Sequence, residues 1–97
     1  MFDVYIWNHY NINMKISWND DKNRKLKAER HICFEQVAEE IAENRFVGPE
    51  DNPAREGQLR IVVKVNGYPY VVPFVVEADG GWFLKTAYPD RKQKGRL

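Results

Sequence analysis

The chain is poor in the residues that staple or metallate small proteins: one cysteine, Cys33, and two histidines, His9 and His31, in 97 residues. A single thiol excludes an internal disulfide and suits a reducing compartment. One Cys and two His do not make a zinc site, so no metal and no cofactor is expected. Nor does any stretch approach the roughly 18 uninterrupted apolar residues that a membrane span needs. Met1 to Asn13 hold Asp3, Asn8 and Asn11, without a basic start or a small-residue cleavage site. They are not read as a signal peptide, and a cytoplasmic location with no membrane partner is expected. Internal repeats and low-complexity segments are missing too.

What is present is a folding composition, 43% hydrophobic and 13% aromatic, in a length that makes one small domain. The net charge of +1 conceals a pattern. Residues 1–13 carry −1, 14–30 carry +3, 31–57 carry −5, 58–80 carry 0 and 81–97 carry +4. Two basic segments flank an acidic middle. Brought together by a fold, they would make a polyanion site on a nearly neutral protein; kept apart, they are solvated faces.

Periodicity supplies the elements. Residues 1–13 read as a leader or an extra edge strand carrying Val4 and Ile6, and residues 14–97 as the domain proper, with Met14 an alternative start. Lys15 to Trp18 reads as a strand with Ile16 and Trp18 on one face. Asn19 offers a helix cap, and Asp20 and Asp21 suit a first turn. That helix is polar, with Leu26 its main apolar anchor. In the next, Phe34, Val37, Ala38, Ile41 and Ala42 fall at the spacing of a buried stripe. Pro49 to Gly57 reads as a polar loop. Leu59 to Val65 and Tyr68 to Val76 form a hairpin across Asn66-Gly67. Pro69 and Pro73 require a bulge, an end or an edge at their positions. Trp82 to Tyr88 reads as a last strand, followed by a basic tail.

These residues resemble a known family. Trp18-Asn19-Asp20-Asp21-Lys22-Asn23-Arg24-Lys25-Leu26, followed by Ile32-Cys33-Phe34-Glu35, is similar to the N-terminal signature of the BrnT toxins. Phe83-Leu84-Lys85-Thr86-Ala87-Tyr88-Pro89-Asp90-Arg91-Lys92 is similar to the Leu-Lys-Thr-aromatic-Pro-Ser-Arg-Lys ending of one branch. The resemblance covers about residues 14–92. It implies an α+β, RelE/ParE-like β-α-α-β-β-β fold, a small antiparallel sheet packed against two N-terminal helices. It also implies a ribonuclease toxin of a type II toxin-antitoxin system that cleaves mRNA without a metal. Its partner would be an antitoxin, commonly a ribbon-helix-helix DNA-binding protein. Three positions depart from the pattern. His31 stands for Gly at the helix joint, where a left-handed residue costs some steric strain. Cys33 stands for a capping Ser, which should weaken the second helix start by about 1 kcal/mol. Asp90 stands for Ser in the tail, where a carboxylate would repel a phosphate.

Cleavage of RNA through its own 2′-hydroxyl needs a base, cations for the charged phosphorane, and an acid for the leaving oxygen. Lys85, Arg91 and Lys92 offer charge near the end of the last strand, and Tyr88 could stack on a base or donate a proton. Lys22 and Lys25 share a helix face as candidate RNA contacts, and Arg60 is another. Glu35 and His31 are the candidates for general base, although dipole compensation and a helix joint explain them without catalysis. By strict alternation Lys85 and Tyr88 fall on opposite faces, so a joint site needs a bulge or bend between them. The lack of a clear His or Glu base in the tail keeps other readings open: a non-catalytic relative, a toxin gripping a protein target such as gyrase, or a module that only pairs with an antitoxin.

Overall fold

The computed structural model describes residues 2–7 and 13–97; His9 lies outside them. In chain order the elements are β1 (Phe2–Trp7), β2 (Asn13–Trp18), α1 (Asp20–Arg30), α2 (Phe34–Ala42), β3 (Val47–Asp51), β4 (Leu59–Val65), β5 (Tyr68–Val76), β6 (Trp82–Leu84) and β7 (Tyr88–Pro89), closed by a 3₁₀ turn, Arg91–Arg96. The strands form one sheet in the order β1-β2-β6-β5-β4-β3, with β7 also pairing β5. Every pairing is antiparallel except β2 with β6, which is parallel. The protein is thus an α+β domain with a mixed, mostly antiparallel sheet and two helices. The sheet is larger than the small antiparallel one expected, because residues 2–7 take the edge-strand alternative and β3 adds a strand where a loop is expected.

Both helices start where local chemistry dictates. Asn19 caps α1, its Oδ1 accepting from the Lys22 N–H at 3.0 Å. Only Leu26 and Asn23 of this polar helix are buried. Asn23 ties the two helices together: its Oδ1 accepts from the Phe34 N–H and its Nδ2 donates to Glu35 Oε1, both at 2.7 Å. The first turn of α2 therefore takes an acceptor from α1. Gln36 also accepts from the Cys33 N–H at 3.0 Å, which keeps the geometry of a capping box. The weak start expected from a thiol at the cap is offset by a neighbour distant in sequence. Between the helices His31 adopts the left-handed conformation, φ 58°, that closes α1 in place of Gly.

Trp18, Phe34, Val37, Ile61, Val63, Val72, Phe74 and Leu84 form the core between the helices and one face of the sheet, each at most 1% exposed. Truncating such an aromatic, Phe34→Ala for instance, costs about 3–5 kcal/mol. The β4–β5 hairpin turns at Asn66 and Gly67, both at positive φ as a type I′ turn requires.

Two expectations need correction. Pro49 to Gly57 is not wholly loop, because Val47–Asp51 forms an edge strand on β4. Its register shifts between Val47 and Glu50 around Gly48. Gly48 sits at φ 106°, and a Cβ there would lie 2.9 Å from the Arg60 carbonyl oxygen, so a side chain is excluded. Trp82 to Tyr88 is not one strand either. It breaks after Leu84 and resumes at Tyr88.

The prolines of β5 account for that break. A two-residue hairpin makes Val65–Tyr68 a hydrogen-bonded pair, so Lys64–Pro69 and Arg60–Pro73 are non-bonded pairs. The missing N–H groups therefore face the β6–β7 side. There Pro73 accepts from the Lys85 N–H at 2.9 Å and Pro69 from the Asp90 N–H at 3.1 Å, with nothing to donate in return. Phe74 pairs with Leu84 and Val71 with Tyr88. Two residues of β5 thus face three, Lys85, Thr86 and Ala87, in a β-bulge.

Candidate functional site

The bulge decides which side chains meet. Before it, Leu84 faces the core and Lys85, opposite Pro73, faces the other side of the sheet. One extra residue then reverses the alternation. Ala87, fully buried, turns into the core, while Tyr88, opposite Val71, joins Lys85 on the outer face. The Arg30 guanidinium at the end of α1 donates to the Ala87 carbonyl and pins the bulge to the helix.

A cleft of about 360 Å³ opens at this point, lined by Lys22, Asn52, Ala54, Arg55, Gln58, Pro73, Lys85, Thr86 and Tyr88. Three cations contribute to its wall and no carboxylate does. Lys22 is presented by the first turn of α1, which Asn19 caps. Lys85 is exposed, its ammonium 5.4 Å from the centroid of the Phe83 ring. Among the described residues neither lysine has a carboxylate partner, and neither does Arg55. Clustered cations without a counter-ion attract an anion, and hydrogen-bonding side chains beside them orient it. A half-buried Tyr88 adds a flat surface for a base.

The loop 52–58 makes the far wall. Asn52, 6% exposed, organises it: its Oδ1 accepts from the Ala54 N–H at 3.1 Å and its Nδ2 donates to Gln58 Oε1 at 3.3 Å. Main-chain bonds from Asn52 N–H to the Gln58 carbonyl and from Arg55 N–H to the Asn52 carbonyl, at 3.0 and 3.2 Å, complete it.

Comparison with known protein families, with curated proteins and with solved structures finds no match.

Of the residues singled out in the sequence, Lys22, Lys85 and Tyr88 meet in the cleft, and the others lie elsewhere. Lys25 is exposed on α1 and does not line the cleft. Arg60 is held by Glu50, Nε to Oε1 at 2.9 Å, and the same carboxylate takes Arg96 at 2.8 Å. Hydrogen bonds from Arg96 and Arg60 outweigh the opposing effect of burial and hold Glu50 down at about 2. Arg91 and Lys92 are exposed on the 3₁₀ turn, outside the cleft. Asp90 caps that turn, its Oδ1 accepting from the Lys92 N–H at 3.1 Å and its Oδ2 from Gln93 Nε2 at 3.2 Å. Its charge is thus occupied locally and does not border the cleft.

Neither candidate base reaches the site. His31 is the exposed hinge between the helices, its carbonyl accepting from Asn66 Nδ2 at 3.5 Å. Glu35 belongs to the helix joint. Burial pushes its carboxyl up, but hydrogen bonds from Asn23, its own backbone N–H and Cys33, with the Lys27 ammonium, outweigh it and set the pKa below the ordinary value. A depressed carboxylate is a weaker base. Among the described residues no group of three His, Cys, Asp or Glu could hold a metal ion, and no helix is long and apolar enough to cross a membrane. Asn52, Arg55 and Gln58 belong to no motif in the sequence, and Thr86, inside the tail motif, is not singled out as a site residue. The segment containing Arg55 is the acidic one, which hid its single useful cation.

Proposed function

We propose that the chain is a RelE/ParE-like toxin of the BrnT type, acting on RNA through the cleft between the bulge, α1 and the loop 52–58. One observation carries this reading: the bulge puts Lys85 and Tyr88 on the same side of the sheet, beside Lys22. The placing of two helices between β2 and the strands β4, β5 and β6, with β2 parallel beside the short β6, also fits it, although β1, β3 and β7 go beyond the expected order. A ribbon-helix-helix antitoxin and a cytoplasmic site of action belong to the same proposal.

The chemistry follows from the lining. Lys22 and Lys85 neutralise a phosphodiester, and Tyr88 stacks on an adjoining base. Attack of the 2′-hydroxyl oxygen on phosphorus forms one P–O bond and breaks the bond to O5′, giving a 2′,3′-cyclic phosphate and a 5′-hydroxyl. The proton leaving O2′ must be accepted, and one must reach O5′. Lys85 or the Tyr88 hydroxyl can give a proton to O5′, solvent water takes the one leaving O2′, and the surrounding cations stabilise the phosphorane.

The absence of a carboxylate or imidazole from this lining favours one second reading: the protein grips RNA without cutting it. Induced expression separates the two, with total RNA examined beside growth, for wild type and a Lys85→Ala/Tyr88→Phe variant. Arrest with RNA loss, abolished in the variant, is the expected result. Arrest with intact RNA, still dependent on Lys85, would establish the gripping reading. Arrest indifferent to both residues would remove the cleft from the function.

A further inference from the structure

The loop 52–58 contributes four of the nine lining residues, and its position above the bulge is fixed by a buried side chain. We propose that this loop is a second phosphate-binding arm, in which Arg55 takes the phosphate next to the one held by Lys22 and Lys85. Asn52 is its positioning residue. The arm rests on the RNA reading above and sets the ligand class more narrowly, as a single strand contributing at least two consecutive phosphates.

Three features lead here. Arg55 lines the cleft from the wall opposite Lys85, so one strand entering between them meets cations on both sides. The other arginine near this face, Arg60, is already committed to Glu50. Arg55 has no such partner among the described residues. Its backbone is also held on both sides, by its N–H to the Asn52 carbonyl at 3.2 Å and by its own carbonyl accepting from the Gln58 N–H at 3.3 Å. Asn52 spends its amide oxygen on Ala54 and one amide N–H on Gln58, both within the loop. It thus fixes the arm from inside. A guanidinium on a preorganised loop loses less freedom on gripping a phosphate than one on a mobile loop.

The test uses 2′-O-methyl RNA oligomers, which lack the attacking hydroxyl, as a dinucleotide with one phosphate and a tetranucleotide with three. Binding to the full chain is measured against salt concentration. Arg55→Gln is expected to weaken the tetranucleotide about tenfold and to lower the salt slope by about 0.7, the value of one lost phosphate contact on a single strand. Dinucleotide binding should stay unchanged, while Lys85→Ala weakens both lengths. Asn52→Ala, checked for folding by its melting temperature, should reproduce the Arg55→Gln loss, and the double variant should lose nothing more. Additive losses would overturn the positioning role of Asn52. If Lys85→Ala weakens both lengths and Arg55→Gln neither, the arm fails and the RNA reading survives. Failure of the wild type to bind either oligomer overturns both.

Discussion

Two sets of cations have opposite fates. Arg60 and Arg96 converge on one carboxylate, Glu50, and fasten the C-terminal turn to the edge strand. Lys22, Arg55 and Lys85 converge on a cleft whose lining contains no carboxylate. Net charge cannot separate these sets, because it adds the neutralised cations to the available ones. What distinguishes them is the partner. A cation beside a carboxylate is structural, and a cluster without one is an electrostatic vacancy for an anion.

The largest expected effect breaks the comparison on the side of the cleft. Lys22→Ala/Lys85→Ala should weaken single-stranded RNA binding by at least about 100-fold, since each charge-assisted contact is worth roughly 1.5–3 kcal/mol. The melting temperature should barely move. A large fall in stability instead would mean that these lysines hold the fold as Arg60 does.

A smaller effect lies with Glu50. Its pKa is lower in the folded protein than in the unfolded chain, about 2 against 4.5. The stabilisation is therefore complete above about 4.5 and is lost as pH falls toward 2. Glu50→Gln should cost about 1 kcal/mol at neutral pH, since the network is partly exposed. It should also flatten the acid side of the stability curve, read by thermal melts between pH 6 and 3. An undiminished acid slope would place the titration elsewhere. The smallest effect belongs to the tail: Arg91→Ala/Lys92→Ala should change RNA affinity by less than about threefold, as exposed charges screened by salt do. A loss comparable to that of the lysine pair would extend the site onto the 3₁₀ turn.

Much of the frame was readable from residue pattern alone. The stripe Phe34, Val37, Ala38, Ile41 specifies a helix face, Asn19 a cap, and Asn66-Gly67 a turn, because each signal is local. The proline argument was sound in requiring a bulge or an end. Its consequence for Lys85 and Tyr88 needed the pairing of two strands, since only the count of residues facing each other reveals the extra one. Arg55 was concealed for a related reason. Its segment is acidic overall and reads as loop, and only the fold brings that loop across from Lys85. Asn23 shows the same limit on the structural side. Nothing in a polar helix marks the one amide that serves the start of the next.

The bulge at Lys85–Ala87 also changes what insertions and deletions mean in this protein. Removing Thr86 would erase one residue without altering any charged or aromatic group. Yet it would close the bulge and leave every face as it is, with Lys85 opposite Pro73, Ala87 opposite Val72 in the core and Tyr88 opposite Val71 outside. The strand would shed its one spare residue and keep the ring on the outer face. In such a sheet a codon lost at the bulge is silent in parity, because the unpaired residue is the slack that absorbs it.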